Sequence, residues 1–182
     1  GGKYVKEIED NIIMNFLNYI DIENPYILDC PTGTGRILNV LKKYSKKIIC
    51  IDNSKKMLEY TKKKFPKFNY IDCSADNLNL KQNSVDIFLS LRFLFHFNDV
   101  SIFFKESRRV LKKNGYYIFD VFNWSPRTLF ANKFIGGKTF NLRKKKIEEY
   151  SKINGFEIID VQHCFFIPTY ISTFIPNILV KS

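Results

Sequence analysis

The sequence predicts an α/β fold in which a doubly wound, mostly parallel sheet of six to seven strands carries helices on both faces and ends in an antiparallel strand. Short apolar runs alternate with segments whose apolar residues recur at helical spacing, an alternation typical of parallel sheets. The run 85–91 is apolar almost throughout, as expected for a strand buried on both faces. The chain has 182 residues, of which 45% are hydrophobic, and this fits one domain with its own core.

Each element has its own local signal. The apolar residues of segment 5–20 fall on one face of a helix. Asn53 and Ser54 are suited to cap the third helix, and Gly115 is suited to end the fourth. Further helices are expected over 37–44, 55–64, 98–111 and 144–153, and strands over 26–30, 47–51, 68–72, 85–91, 116–122, 156–167 and 178–180.

Composition and charge limit the class of protein. No apolar run approaches the roughly 18–20 residues needed to span a bilayer, and the N-terminus lacks the apolar stretch of a signal peptide. The four cysteines show no paired spacing, which favours free thiols over disulfides or a metal site. We therefore expect a cytoplasmic protein, a monomer or homodimer, with no metal and no membrane partner. The net charge of +11 is spread over lysine clusters beside predicted helices, which favours a solvated surface, with nucleic-acid binding as the minority alternative.

A glycine-containing turn follows the first predicted strand and reads Leu28-Asp29-Cys30-Pro31-Thr32-Gly33-Thr34-Gly35-Arg36. Its two glycines permit a tight turn and the close approach of a ligand. A dinucleotide is disfavoured, because Leu38 stands where the third glycine of G-x-G-x-x-G would be and Asp29 would repel a pyrophosphate. A carboxylate at this place favours a cofactor with a cationic amino group and a sulfonium, which points to S-adenosylmethionine (SAM).

Asp52 closes the second predicted strand. A carboxylate there can accept hydrogen bonds from both hydroxyls of a ribose. The alternative is that Asp52 caps the next helix, but Asn53 and Ser54 are available for that role, so we favour the ribose.

The ordered motifs between Tyr26 and Asn123 resemble the class I SAM-dependent methyltransferases, particularly their small-molecule type 11 and type 25 domains. The first motif is Asp29 to Gly35, and Asp52 with Met57 matches the acid and the hydrophobic position after the second strand. Four more elements match: Ser74-Ala75-Asp76-Asn77-Leu78-Asn79, Asn83-Ser84-Val85-Asp86, Leu111-Lys112-Lys113-Asn114-Gly115 and Gly155-Phe156. The resemblance implies a Rossmann-like fold, SAM as cofactor and S-adenosylhomocysteine (SAH) as product.

The pattern along the chain divides the single domain over 1–182 into an N-terminal helix (1–24), a cofactor-binding core (25–123), an excursion that shapes a pocket (124–143) and a C-terminal helix with strands (144–182). Pro31 departs from the family pattern and removes an N–H donor from the loop. Ser74 replaces the acid that commonly holds the adenine, and Ser74, the Ala75 backbone or Asp76 are open alternatives for that contact. The expected cofactor-binding residues are Asp29, Pro31, Thr32, Gly33, Gly35, Arg36, Asp52, Asn53, Met57, Ser74, Ala75, Asp76, Ser90 and Leu91.

Methyl transfer from SAM is an in-line displacement, so the protein chiefly positions the reactants. Segment 90–97 is where the resemblance places the meeting of cofactor and acceptor. His96 is a candidate general base or, alternatively, a structural histidine, and Arg92 binds an acidic acceptor or forms an ion pair with a carboxylate. Asn123 and Trp124 are candidates for the acceptor pocket, and Tyr4 for a cover over the cofactor.

The acceptor is predicted by exclusion. Enzymes that methylate amino groups of nucleic-acid bases usually carry Asn/Asp-Pro-Pro-aromatic after the fourth strand, whereas residues 90–93 are Ser-Leu-Arg-Phe. A Pro-Cys pair for cytosine C5 chemistry is also missing from the sequence. We therefore expect a small-molecule acceptor methylated on oxygen or nitrogen. The alternatives are an RNA or protein methyltransferase that uses the basic surface, a non-catalytic SAM-binding module and, least favoured, an NAD-dependent oxidoreductase.

Overall fold

The computed structural model describes residues 2–122, 140–166 and 173–182, with side chains described for 6–122, 140–162 and 178–182. The helices are α1 (Gly2–Tyr19), α2 (Leu38–Leu41), α3 (Lys55–Lys64), α4 (Ser101–Val110) and α5 (Lys144–Ile153), with a short 3-10 helix at Leu94–His96. The strands are β1 (Ile27–Asp29), β2 (Ile48–Asp52), β3 (Asn69–Asp72), β4 (Val85–Ser90), β5 (Leu111–Asp120), β6 (Glu157–Phe166) and β7 (Thr173–Lys181).

The strands of the described segments form one seven-stranded sheet in the order β3-β2-β1-β4-β5-β7-β6. The neighbouring pairs among β1 to β5 are all parallel, whereas β7 is antiparallel to both β5 and β6. The predicted doubly wound sheet with an antiparallel last strand is therefore confirmed. The chain runs outward from β1 to β3 and then returns to β4 on the other side of β1. This reversal opens a crevice at the carboxyl ends of the two central strands, where ligands bind in such sheets.

Alternating residues of the strands supply two separate cores. Ile27 and Leu89 face α1 and α2 on one side of the sheet. Leu28 and Phe88 face α4 and α5 on the other side. Because both faces are covered, the central strands are apolar on both sides, as the sequence indicated.

Several boundaries differ from the sequence-based prediction. Gly115 does not end α4, because the helix stops at Val110 and Gly115 lies inside β5. The last carbonyls of α4 accept hydrogen bonds from the backbone of Asn83 and Ser84, which lead into β4, and the chain then turns directly into the sheet. Helix α2 covers only Leu38–Leu41 of the predicted 37–44. Helix α3 has its predicted bounds, and Ser54 caps it by accepting a hydrogen bond from the Met57 amide at 3.4 Å.

The remaining expectations concern cysteines, membranes and the excursion. Cys30 and Cys50 are buried free thiols, and Cys73 is a half-buried one. Within the described segments, no helix is both long and apolar enough to traverse a bilayer. Asn123, Trp124 and most of the excursion 124–143 lie outside the described residues, as do the side chains of Tyr4 and Cys164.

Candidate active site

A cleft of about 420 Å³ opens at the carboxyl ends of β1 and β2. Its volume lies within the range of roughly 300–1,000 Å³ usual for small-molecule pockets. The predicted site residues that line it are Asp29, Pro31, Thr32, Gly33, Arg36, Asp52, Met57, Leu91 and Arg92. Thr34, Ile37 and Ser54 also line it, although the sequence analysis did not assign them to the site.

Asp29 is the last residue of β1 and is only 2% exposed. Its carboxylate accepts a hydrogen bond from the Thr32 hydroxyl at 2.6 Å. Burial raises the pKa of Asp29 to about 7, against the opposing effects of the Thr32 hydrogen bond and the Arg36 charge. A cationic group bound beside Asp29 would favour its ionised form.

Asp52 is the last residue of β2 and is likewise buried. Its two oxygens accept hydrogen bonds from the backbone amides of Gly33 at 2.8 Å and Ser54 at 2.9 Å. A carboxylate offers about four lone-pair sites, so each oxygen can still accept one hydroxyl. Because Ser54 caps α3, Asp52 is not needed as the cap and remains suited to a ribose.

The two glycines of the loop have different roles. Gly33 has φ +51°, and a Cβ added there would meet nothing within 4 Å, so the loop presents bare backbone at this residue. Gly35 has φ +71°, but a Cβ there would lie 2.8 Å from Thr61 Cγ2 and 3.1 Å from Phe65 Cε2. Gly35 is also absent from the cleft lining. Gly35 therefore allows the loop to pack on α3, and its contact with a cofactor stays a prediction.

Arg36 and Arg92 share one buried carboxylate, that of Glu9 in α1. The Arg92 side chain donates to both Glu9 oxygens at 2.9 Å, and Arg36 donates to Oε2 at 2.5 Å. The ion pair that the sequence left as one alternative for Arg92 is thus present. The Arg92 backbone has φ +56°, and its amide donates to Asp120 Oδ1 at 2.7 Å.

Asp120 is the last residue of β5 and is 1% exposed. Burial raises its pKa to about 7, while the Arg92 amide and the charges of Arg36 and Arg92 lower it. Sequence reasoning missed both Asp120 and Glu9. A signal existed for each: Asp120 ends a strand as Asp29 and Asp52 do, and Glu9 stands at helical spacing from the buried Ile13 and Phe16.

The other predicted residues do not line the cleft; they are Gly35, Asn53, Ser74, Ala75, Asp76, Ser90 and His96. His96 is exposed on the 3-10 helix, with its ring 4.6 Å from that of Phe95. Ser90 is buried at the end of β4. The loop from Ser74 to Asp76 follows β3, the neighbour of β2, and Arg109 anchors its continuation by donating to the carbonyls of Leu78 and Leu80.

Aromatic side chains pack beneath segment 90–97. Phe93, Phe97 and Phe103 pack edge to face with ring centroids 4.7–4.9 Å apart, so they stabilise the core there. Among the described residues, no three or more His, Cys, Asp or Glu side chains are grouped to hold a metal ion.

Comparison with known proteins places this chain in a family. Residues 28–119, half of the chain, match the methyltransferase domain family. The ubiquinone biosynthesis O-methyltransferase of Pelagibacter ubique is 32% identical over 61% of this chain and 49% of its own length. The malonyl-[acyl-carrier protein] O-methyltransferase of Marinomonas sp. is 31% identical over 71% of this chain and 48% of its own length.

Solved structures agree on the fold. The magnesium protoporphyrin IX methyltransferase of Synechocystis PCC 6803 with bound SAH superimposes with a TM-score of 0.77 at 14% identity, covering 96% of this chain and 84% of that one. The chain therefore belongs to the methyltransferase domain family and has the class I SAM-dependent methyltransferase fold. The chain spans about half the length of the two relatives described above.

Proposed function

We propose that this domain binds SAM in the cleft at the ends of β1 and β2 and catalyses methyl transfer to an oxygen or nitrogen of a small-molecule acceptor. One observation carries the proposal. Two buried carboxylates, Asp29 and Asp52, end adjacent strands and line one cavity, with the bare backbone of Gly33 between them.

The residues present fit this cofactor by charge and shape. Asp52 retains lone pairs for two ribose hydroxyls, and Asp29 lies where a cationic amino group would favour its ionised form. Met57 is 40% exposed and lines the cleft, so it offers an apolar surface to an adenine ring. Ser74 to Asp76, in the loop beside the end of β2, are assigned to the adenine edge. The bound cofactor would supply an activated methyl group on a sulfonium.

The role of the protein residues in the reaction is to orient the reactants and to exclude water. Holding two reactants in the right geometry is worth about 7–11 kcal/mol of the barrier. Leu91 and Arg92 lie at the end of the cleft formed by the loop after β4. His96, four residues beyond Arg92, is exposed and is proposed as the group that accepts a proton from the acceptor.

The names of two relatives support oxygen as the methylated atom, since both are O-methyltransferases. A small acceptor is supported by the volume of the cleft, about 420 Å³, which lies in the range usual for small-molecule pockets. The alternative, a polyanionic acceptor such as RNA, has its own support in a groove lined by Lys42, Lys46, Lys64 and Lys67. That groove lies at the amino ends of β2 and β3, and the five residues of β2 span about 16 Å, so an anion held there would be far from the cleft.

Calorimetry with SAM, SAH and NAD tests the cofactor assignment. We expect both sulfur ligands to bind one site per chain and NAD not to bind. Binding of NAD without SAM or SAH would overturn the proposal. Incorporation of labelled methyl groups into phenol or amine panels, with total RNA as the competing acceptor, tests the acceptor class, and transfer to RNA alone would contradict a small acceptor.

A further inference from the structure

The loops that lead into the strands bring together lysines that the sequence spreads along the chain. Strands β1, β2 and β3 are parallel, so the loops before them meet at one edge of the sheet, opposite the edge that forms the cleft. Five exposed lysines stand in or beside the loops before β2 and β3: Lys42, Lys46, Lys47, Lys64 and Lys67. These five residues are called the lysine edge below. The fold therefore concentrates positive charge at the edge of the sheet that is remote from the cleft.

The charges of the lysine edge are not neutralised by acids. Among the described residues, none of its five members forms an ion pair. The loop before β1 brings the exposed Asp21 and Glu23 to the same edge, but neither acid pairs with a lysine of this part of the structure. Five cations thus face two acids, which leaves a positive field at this edge. An anionic partner would gain free energy by binding there.

A groove of about 590 Å³ gives the lysine edge a concave shape. Four of the five lysines line the groove, and Phe65, Pro66 and Phe68 supply its apolar surface. The rings of Phe65 and Phe68 stack with their centroids 5.9 Å apart, and Phe68 is only half-buried. The ammonium groups of Lys42 and Lys64 lie 5.9 and 5.5 Å from the centroid of the Phe65 ring. The groove therefore combines aromatic side chains with a rim of cations.

A second aromatic ring continues this surface beside the groove. Tyr26 precedes β1 and is 42% exposed. The ammonium groups of Lys47 and Lys112 lie 4.8 and 5.2 Å from the centroid of its ring. Ser45, which lines the groove, donates a hydrogen bond to the carbonyl of Pro25 at 2.6 Å and so holds the two segments together. Tyr26 is thus an exposed aromatic platform with cations next to the groove.

The pairing of rings with lysines recurs further along the same edge of the sheet. The ammonium group of Lys181, at the end of β7, lies 5.7 Å from the ring centroid of Tyr116 in β5. Strands β3 and β7 are five strand spacings apart, which is about 24 Å. A small phosphate compound would contact only the groove, whereas a row of this length suits a linear polyanion.

Single-stranded nucleic acid is the polyanion that matches both features of this row. Its phosphates suit lysines, and its exposed base faces stack on aromatic rings. A double helix stacks its base faces internally, and an anionic lipid surface has none. The aromatic rings between the lysines therefore favour a single strand over the other polyanions.

We propose that the lysine edge and Tyr26 form a docking surface for single-stranded nucleic acid, with phosphates on the lysines and bases on Tyr26 and in the groove over Phe68. The surface is separated from the cleft by the length of the central strands, about 16 Å for β2. The bound strand is therefore a docking partner rather than the methyl acceptor. The inference does not depend on the proposed function, because none of these residues lines the cleft.

Fluorescence anisotropy with a labelled single-stranded oligonucleotide of about 15 nucleotides tests the electrostatic part. The variant Lys42→Gln/Lys46→Gln/Lys67→Gln should bind about tenfold or more weakly at low salt. Its plot of log affinity against log salt should be shallower by up to about 2, since each phosphate contact on a single strand contributes about 0.7. The affinity for SAH should equal that of wild type, because the cleft is untouched.

A second triple variant is the matched control for charge. Lys105→Gln/Lys144→Gln/Lys145→Gln removes three exposed lysines from α4 and α5, outside the lysine edge. It lowers the net charge by the same amount, so it should change oligonucleotide affinity by less than about twofold if the charges act locally. Thermal unfolding checks that both triple variants are folded.

Tyr26→Leu tests the aromatic part. It keeps an apolar side chain but removes the ring, so it should weaken oligonucleotide binding by about fivefold or more, the effect expected for the loss of one stacked base. Binding of heparin, which has anionic groups without bases, should stay unchanged. Tyr60→Leu is the control, because Tyr60 is 55% exposed on α3 and no lysine ammonium of the described residues lies over its ring.

Each outcome decides for or against the docking surface. Selective losses in the Lys42/Lys46/Lys67 variant and in Tyr26→Leu support it. Equal losses in the two triple variants, or no binding of the oligonucleotide by wild type at low salt, overturn it. Duplex bound as tightly as the single strand, or a Tyr26→Leu variant with unchanged affinity, would show a general polyanion surface and would also overturn it. SAH binding reports on the proposed function separately in every variant.

Discussion

The carboxylate of Asp52 accepts a hydrogen bond from the backbone amide of Gly33 at 2.8 Å, which ties the end of β2 to the loop that follows β1. The other oxygen accepts from Ser54 at 2.9 Å, at the start of α3. One side chain thus fixes two segments that line the cleft. Asp52 is therefore placed to shape the loop and to contact a ligand with its remaining lone pairs.

Asp52→Asn should weaken SAH binding by about 10- to 100-fold, since hydrogen bonds to charged groups are worth about 1.5–3 kcal/mol. The amide nitrogen of asparagine cannot accept a hydrogen bond, so one of the two backbone contacts is lost as well. Equilibrium dialysis measures the affinity. Asp72→Asn is the control, because Asp72 also ends a strand but pairs at 3.7 Å with Lys55 and does not line the cleft. An unchanged affinity in Asp52→Asn would remove Asp52 from the site.

Gly35→Ala should destabilise the fold more than Gly33→Ala. Both glycines have positive φ, so each alanine incurs about 1–2 kcal/mol of backbone strain. At Gly35 the new methyl group also stands 2.8 Å from Thr61 Cγ2, and such overpacking adds about 1–3 kcal/mol. Urea unfolding of the two variants measures the difference. Equal losses would show that the loop does not depend on packing against α3.

Features that depend on local sequence could be predicted, whereas features that depend on contacts between distant residues could not. Helix α3 was predicted with its observed bounds because a capping serine and helical spacing are local features. Asp29 and Asp52 were assigned because each closes an apolar run. The ion pairs of Glu9 with Arg36 and Arg92 were missed because they join residues 27 and 83 positions apart, a pairing that only the folded chain creates. The end of α4 was misplaced for a similar reason, since backbone groups of Asn83 and Ser84 determine it.

Asp120→Asn should change stability in a pH-dependent way. The native state keeps a proton on Asp120 up to about pH 7, whereas the unfolded chain releases it near the ordinary value of 3.8. Between these values the native state binds more protons, so this group makes the wild-type free energy of unfolding fall as pH rises. Asp120→Asn has no carboxyl to titrate, so its free energy of unfolding does not fall for this reason. Between pH 3.8 and about 7, its stability relative to wild type should therefore increase by at most about 1.4 kcal/mol per pH unit.

Urea unfolding of wild type and Asp120→Asn at pH 4, 5.5 and 8 measures the trend. Asp99→Asn provides a control of opposite sign, because hydrogen bonds from Ser101 and Tyr150 lower the pKa of Asp99. Its carboxylate contributes stability above the unfolded pKa, which is lost as pH falls through the folded one, so Asp99→Asn should be destabilising at neutral pH. A constant difference between Asp120→Asn and wild type from pH 4 to 8 would contradict a buried acid with a raised pKa.

The affinity for SAM should rise with pH because of Asp29. The pKa of Asp29 is about 7 in the free protein, and a ligand with an ammonium and a sulfonium binds better to the ionised carboxylate. Below pH 7 the protein must release a proton to bind, so the dissociation constant should fall by up to about tenfold per pH unit and level off above 7. Asp29→Asn should bind more weakly and lose this dependence.

Thr32→Val should shift the pH dependence of SAM affinity to higher pH. The Thr32 hydroxyl donates to Asp29 at 2.6 Å, and this hydrogen bond lowers the pKa of the carboxyl. Its removal should raise that pKa further, so the midpoint of SAM affinity should shift to higher pH while the plateau remains. Calorimetry from pH 5.5 to 9 locates the midpoint in wild type and variant. A midpoint that stays in place, or moves to lower pH, would show that a group other than Asp29 controls the binding of the cation.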